Sequence, residues 1–541
     1  VIWGNGKSQT LTNLHVDKEI VLKQSNATMT WVYKPEKPTN QIFDDVTAQS
    51  GADFVHRENE YNDFNREYLI PKMVSREGPA LGVTDVNGDF ILDFYVGGAR
   101  GKAGQLFIGR AGGQFSRSNQ PALSADSLYE DVAASFFDAD NDGDQDLFIA
   151  SGGGEWPGQQ EGAKSRMYLN DGKGNFTRSP NALPDLYLNA STVAPYDFDG
   201  DGDMDIFLGA RSQTSHYGLS PNSYLLENTG KAQFRDVTKA KAPDLAQIGM
   251  IRDAKWVNID PATSKDTRKE LVIVGDWMPV TVFKVENGKL INYTDQAGFA
   301  NTNGWWNTVE AADLDHDGDQ DLVLGNMGLN TIFQASPATP LRLFVKDMDK
   351  NGSTDPIMTY FNGEKEYPIE RLDDIFQQLP MIKQRFEGSF TQAGSKTFDE
   401  MFPADVRKDA VEKEAVEMRS MVMLNKGNGA FAPIPLPSVA QFSPVFGIVI
   451  DDLNGDKVPD LVIGGNDYNV KPSIGRYDAS YGSFLLGDGK GSFYPISNGS
   501  VNLWIDGEVR NMRILDQLDG SRLILIAKNN AAMQVLKINK D

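Results

Sequence analysis

The chain has 541 residues, with 52 basic and 75 acidic side chains and a formal charge of −23. Its 40% hydrophobic content supports a large core and excludes a disordered chain. The charge argues against a nucleic-acid backbone or an anionic membrane surface as main partner. The absence of cysteine excludes disulfides, thiolate metal sites and thiol catalysis, and no apolar run approaches the ~18–20 residues of a membrane-spanning helix.

In chain order, the first 40 residues are irregular, and the first residue is Val1. We expect a processed or trimmed piece of a longer protein. From there on, acidic residues gather in six nine-residue windows. The first is Asp85-Val-Asn87-Gly-Asp89-Phe-Ile91-Leu-Asp93. The second and third place Asp at every odd position, at Asp138, Asp140, Asp142, Asp144 and Asp146, then at Asp197, Asp199, Asp201, Asp203 and Asp205. The fourth does the same at Asp313, Asp315, Asp317, Asp319 and Asp321. The fifth holds Asp347, Asp349, Asn351, Ser353 and Asp355, and the sixth Asp452, Asn454, Asp456, Val458 and Asp460. Four windows have glycine at position six; the first and last have it at position four.

Hard cations take six to eight oxygens at ~2.3–2.6 Å, and alternate residues of a tight loop can turn oxygens inward. Positions one, three, five and nine would supply side chains, and position seven its carbonyl, which brings in Ile91 and Val458. Such windows predict about six structural calcium ions. An EF-hand loop closes at position twelve between helices. Here position nine closes the loop, and β-type apolar runs flank it, so each loop joins two strands. A lone window could be an acidic turn. Six in one register are different, because two carboxylates ~5 Å apart repel by about 3 kcal/mol at an effective dielectric near 20. Six dications would move the net charge from −23 to about −11.

The windows belong to a longer unit. An apolar strand, the loop, a second apolar strand, a variable segment and a glycine-turn hairpin recur about every 53–63 residues. The hairpins include Met167–Phe176, Tyr224–Phe234 and Phe484–Phe493. Two further units are degenerate. One has Trp256-Val-Asn258-Ile-Asp260 running into a Lys-rich stretch, and the other keeps only Asp516-Gln-Leu-Asp519-Gly. Four short strands per unit predict an all-β, seven-bladed β-propeller. Residues 42–47 match the outer strand Phe234–Thr238 and should complete the last blade, leaving no free edge. The expected division is 1–27 as a separate remnant, 28–541 as propeller, and 340–421 as an insertion in blade five. That insertion should carry the Asp347 loop on a long hairpin, or form an eighth blade. Apolar residues at helical spacing predict helices over 369–386, kinked or split at Pro380, and over about 397–419, broken near Pro403.

The acidic loops, Gly-Asn and Gly-Gly strand ends and Asn-Asp-Gly-Lys-Gly-Asn-Phe hairpins resemble FG-GAP/VCBS repeats, the family of the integrin α-chain propeller and some fungal lectins. The resemblance spans roughly residues 42–541. Residues 1–24, with Val1-Ile-Trp3, Gly6, Gln9, Leu11, Asn13 and Ile20-Val-Leu-Lys, resemble the tail of an ASPIC/UnbV domain. That implies a longer, exported bacterial protein with further domains upstream.

In propellers of this kind the face opposite the metal loops takes ligands and partner chains. It would carry Arg100, Trp156, Arg211, His216, Tyr217, Trp277, Trp305, Trp306, Asn326, Asn330, Tyr468, Arg476 and Tyr477. Within the adjacent Trp305-Trp306 pair, one ring should point out of the sheet face that buries the other. Aromatic, Arg and Asn side chains suit a sugar or a polypeptide. Catalytic signals are sparse: of four histidines only His216 falls on this face, and no His-Glu-x-x-His or Gly-x-Ser-x-Gly occurs. The sequence therefore reads as an exported, calcium-stabilised binding or scaffold propeller engaging a glycan or protein at the periplasm or cell surface, where calcium is millimolar. The alternatives are a propeller-type polysaccharide lyase and a multivalent lectin.

Overall fold

A computed structural model describes residues 1–12, 19–31, 41–259, 268–427 and 429–539. Asn13 and Asp260, which the sequence reading used, lie outside these residues. Among the described residues, seven antiparallel sheets follow one another along the chain; six have four strands, and the fourth sheet gains a fifth, Gly304–Trp305, paired with Glu270–Met278. Their first strands are Leu81–Thr84, Asp131–Phe137, Asn189–Pro195, Met250–Val257, Thr308–Ala312, Val445–Asp451 and Glu508–Asp516. Each first strand packs beside the next, and the last returns to the first, which closes a ring. The second strands read as continuous apolar runs because both their faces are covered; Ile206–Ser212 is buried at every residue. The seventh sheet takes its outer strand from Phe43–Asp45, with Phe43 opposite Ile538. At that seam Phe94 and Phe107 of sheet one pack with Leu523 and Leu525 of sheet seven. This is the β-propeller architecture read from the repeats.

Five first strands carry a register shift near their start, at Val132, Ser191, Arg252, Phe446 and Arg510. Each shift inserts one residue and re-aims its side chain. All five line the axial channel.

The insertion between Gly325 and Met421 builds a further four-stranded sheet from Leu341–Lys346, Asp355–Asn362, Lys365–Pro368 and Val411–Ala415. This sheet stands outside the closed ring of first strands. Helices Leu372–Gln378 and Pro380–Arg385 divide at Pro380 as expected. Their apolar faces pack with Phe398 and Phe402 over Phe344 and Ile357. The expected second helix is corrected at its end. Residues 411–415 form a strand paired with Leu341–Val345, because that edge needs a hydrogen-bonding partner and Val-Glu-Lys-Glu-Ala alternates.

Residues 53–80 form a strap that the sequence reading did not foresee. His56 N–H donates to Ala531 O, Met73 N–H to Asn469 O, Gly154 N–H to Val74 O and Ala80 N–H to Asp131 O. The strap thus crosses the face opposite the acidic loops, touching sheets seven, six and two in turn.

A side-chain latch joins successive sheets. Asn170, Asn228 and Asn425 end the third strands of sheets two, three and five. Their Nδ2 groups donate to Val86 O, Ala139 O and Ile259 O, each in the loop of the preceding sheet, at 2.8, 2.8 and 2.6 Å. Asn228→Ala would remove the Nδ2 donation to Ala139 O, which keeps Ala232 N–H as its other donor, and the Gly230 N–H donation to Oδ1, and should cost about 1–3 kcal/mol. A lowered thermal midpoint is expected, while exposed Lys239→Ala should leave the midpoint within the small range of surface changes. Equal midpoints for the two variants would show that the latch carries no stability.

Candidate metal centres and the opposite face

The six loops share one backbone. Positions four and six are left-handed in every window: Gly88 and Phe90, Asn141 and Gly143, Gly200 and Gly202, His316 and Gly318, Lys350 and Gly352, Gly455 and Lys457. The glycine shift in the first and last windows therefore changes which residue bears the strain, not the loop's path. Phe90 and Lys457 hold φ of 66° and 71° without glycine's freedom.

Position one organises the turn. Asp197 Oδ1 accepts from Gly200 and Asp201 N–H, and Oδ2 from Gly202 N–H. Asp85, Asp138, Asp347 and Asp452 likewise accept from position-six N–H groups or their equivalents. Asp313 accepts from Gly318. Position five in turn accepts the N–H of position seven, as in Asp142 to Asp144 at 3.1 Å and Asp456 to Val458 at 2.8 Å.

Position nine ties the loop to the sheet. One oxygen of Asp146 accepts from Ala139 N–H at 2.9 Å and the other from Asn170 N–H at 2.8 Å. Asp93, Asp205, Asp321 and Asp460 repeat this between the loop's second residue and the third strand. Asp355 takes its second bond from Gln378 of the insertion helix. In sheets one and six the third-strand residue is Gly109 or Gly487, where an added Cβ would fall 2.4 or 2.1 Å from a backbone oxygen.

Carboxylate oxygens converge within 4.8 Å in four loops: Asp138, Asp140 and Asp146; Asp197, Asp199 and Asp205; Asp313, Asp315 and Asp321; Asp347, Asp349 and Asp355. The first and last windows have Asn at position three, where these four have a carboxylate. The donor set suits a hard cation. The buried Oδ1 atoms of Asp140, Asp199, Asp313 and Asp315 have no hydrogen-bond partner. Burial is the main reason that the position-nine carboxyls rise, to about 7 for Asp146 and Asp205 and about 6 for Asp93, Asp321, Asp355 and Asp460. Their backbone or side-chain donors oppose that rise and neighbouring carboxylates add to it. In the degenerate fourth unit, Glu270 takes the position-nine role and accepts from Ile259 N–H at 3.0 Å. Sequence spacing concealed this, because the long connection removed the register.

The opposite face is corrected in several places. Trp305 and Trp306 do face opposite ways, but both ways are covered. Trp305 packs on Trp277 and Phe333, with ring centroids 5.0 and 4.8 Å away, and Trp306 lies among Val274, Val280 and Val309. Trp277 is likewise buried and donates to Tyr217 OH at 3.4 Å. Asn326 is buried and braces Glu417 O, and buried Tyr477 bonds Thr331. Arg211 is 0% exposed. Its guanidinium donates to Asp276 at 2.6 Å and to Glu77 of the strap at 3.3 Å. Lys72 of the strap lies 3.4 Å from Asp276. Burial would raise the Asp276 carboxyl, but Arg211, Lys72 and Arg252 outweigh it and hold it far below the usual range.

What this face leaves accessible is narrower. Arg100 stacks over Trp156 at 4.0 Å and pairs with Glu155. Arg476 lies over Tyr468 at 4.8 Å, and Asn330 is exposed while donating to Phe442 O. His216 and Trp156 border a cavity of about 500 Å³ between sheets two and three, with Tyr187, Asn189, Gln213 and Tyr224. Asn189 Oδ1 is buried there without a partner.

A second cluster, His56, Glu58 and Glu130, was not visible in the sequence. Asn530 N–H donates to His56 Nδ1 at 3.1 Å, which places the imidazole proton on Nε2 and blocks that nitrogen as a metal ligand. Burial, with Arg510, lowers this histidine to about 3, so it is neutral.

Among the described residues no helix is long and apolar enough to cross a membrane. No curated protein matches the sequence. Solved structures similar to the chain include the biofilm matrix protein Bap1 of V. cholerae, at 11% identity over 90% of this chain and 91% of that one, with a TM-score of 0.33. Others are BBS1N in complex with ARL6DN, at 10% identity over 86% and 94% with a TM-score of 0.38, and the Dos1 propeller, at 8% identity over 90% and 96% with a TM-score of 0.38. The family described as FG-GAP-like repeat matches residues 85–149 and 138–208. Residues 85–208 thus carry FG-GAP-like repeats, within a closed ring of antiparallel sheets that is a β-propeller.

Proposed function

We propose that this propeller is a calcium-stabilised, exported binding or scaffold protein that engages a glycan or protein partner through the face opposite the acidic loops. The observation that carries the calcium reading is the repetition of one loop path in six places, with unpartnered carboxylate oxygens turned inward in three of them. Positions one, three, five and nine would hold the ion with the carbonyl of position seven, and the ion would offset the mutual repulsion of the carboxylates. Such loops fill at extracellular calcium, which supports export. The resemblance of residues 1–24 to an ASPIC/UnbV tail belongs to the same reading and supports further domains upstream.

The cavity beside Trp156 supports the choice of face. Aromatic edges with amide, hydroxyl and imidazole groups suit a saccharide, whose rings offer apolar faces and hydroxyl rims. A glycan array probed with the calcium-loaded protein should give saturable binding, and Trp156→Ala with His216→Ala should reduce it by about tenfold or more. Retained binding in that double variant would move the site elsewhere. Unsaturated, ultraviolet-absorbing products from an acidic polysaccharide would replace this reading with a lyase.

Calcium dependence has a defined sign with pH. Position-nine carboxyls near 6–7 in the folded, metal-free chain compare with about 3.9 unfolded. The folded state then binds more protons across that interval, so its stability falls as pH rises from about 4 to 7. A bound dication favours the ionised form and offsets this loss. With chelator the thermal midpoint should be higher at pH 5 than at pH 7.5, and calcium should raise it more at pH 7.5. A chelated midpoint that climbs with pH, or no calcium effect at pH 7.5, would contradict the reading.

A further inference from the structure

The axial channel encloses about 400 Å³ and is lined by all seven first strands. That volume lies in the range of small-ligand sites. Near the strap it carries one tier of side chains from four successive sheets, three of them polar. Arg252, Phe446 and Arg510 are the shifted residues of sheets four, six and seven. Asn307 precedes the first strand of sheet five and is 6% exposed. Both guanidinium groups lie over the Phe446 ring, at 5.4 Å for Arg252 and 4.6 Å for Arg510.

This tier has unused hydrogen-bonding capacity. Arg252 Nε, Arg510 Nε and both amide atoms of Asn307 are buried without a hydrogen-bond partner. Arg252 Nε stands 3.9 Å from Asp276 Oδ1, beyond hydrogen-bond reach. Arg252 Nη1 pairs with Glu77, and both Nη groups of Arg510 are engaged, Nη1 with Asn466 O at 3.1 Å and Nη2 with Glu508 at 2.9 Å. Native proteins leave few such buried groups unsatisfied. Five cationic and three acidic side chains line the channel, in a chain whose net charge is −23. Burial, reinforced by Arg211 and opposed by Glu77, Asp276 and Asp467, holds the Arg252 guanidinium below its ordinary range, whereas for Arg510 burial is outweighed by Glu508 and Asp467, which raise it.

We propose that the tier of Arg252, Asn307 and Arg510 in the axial channel is a binding site for a small carboxylate, with Phe446 as its apolar floor. The two Nε–H groups donate to the carboxylate oxygens, and the Asn307 amide, which both donates and accepts, reads an adjacent hydroxyl. Glu77 and the strap close one end of the channel, so the ligand enters between the acidic loops, past Lys255 and Arg513. These two border the opening at 34% and 43% side-chain exposure and share Glu310 between them. The site is separate from the Trp156 cavity and does not rest on the glycan reading of that cavity.

Calorimetric titration of the calcium-loaded full chain with glucuronate tests this, with glucose as the neutral counterpart. Glucuronate should bind saturably and at least about tenfold more tightly than glucose. Asn307→Asp places a competing carboxylate in the tier and should weaken glucuronate by about tenfold or more. Asn307→Leu, which fills the same space without charge, should also abolish binding, and circular dichroism and thermal midpoints check that both variants fold. Absence of saturable glucuronate binding, equal affinity for glucose, or wild-type affinity in either folded variant would overturn the proposal and leave a channel holding water alone.

Discussion

Like charges forced together at the corner of a β-hairpin set the terms for this molecule. Each loop path depends on two left-handed residues and on a position-one aspartate that gathers the backbone N–H groups. In four loops the path then brings the carboxylates of positions one, three and nine within 4.8 Å of one another. Two carboxylates at such spacing repel by about 3 kcal/mol, a large fraction of a domain's whole stability margin. The position-nine aspartate is the counterweight. It spans the loop and the third strand with two hydrogen bonds, so the loop cannot relax without loosening its sheet. Through Asn170, Asn228 and Asn425 the same bond network reaches the preceding sheet. Charge at the corner and closure of the ring are thereby one mechanical system.

Much of this was legible in the chain itself. Period, alternation and the repeated Asp spacing gave the strand–loop–strand units, and the likeness of residues 42–47 to Phe234–Thr238 pointed to the closing strand. The latch was legible only in part. Asn170 and Asn228 stood in the glycine-turn hairpins as turn formers, and nothing local told their turn role from their bond to the neighbouring sheet. Glu270 escaped because a long connection separated it from the residues whose geometry it completes. The strand at Val411–Ala415 was masked by apolar spacing that a helix would share.

The ligand face was the least legible part. Reading it from position in the repeat assumed that strand-end loops lie open. The strap of residues 53–80 removes that assumption, since it covers Arg211 and sets Lys72 and Glu77 into the ion-pair cluster. A polar segment without periodicity gives no sequence signal for such a path, because its contacts are with residues hundreds of positions away. The consequence is functional: large aromatic residues that looked available are core, and the accessible chemistry shrinks to the Trp156 cavity, the Tyr468–Arg476 stack and the axial channel.

The central claim is that divalent cations occupy the acidic corners. Anomalous difference maps from crystals grown with calcium test it most directly. The account predicts peaks within the loops beginning at Asp138, Asp197, Asp313 and Asp347, each surrounded by side-chain oxygens at about 2.3–2.6 Å. Maps in which those carboxylates are instead bridged by water or by Lys and Arg side chains, with no anomalous signal, would contradict it.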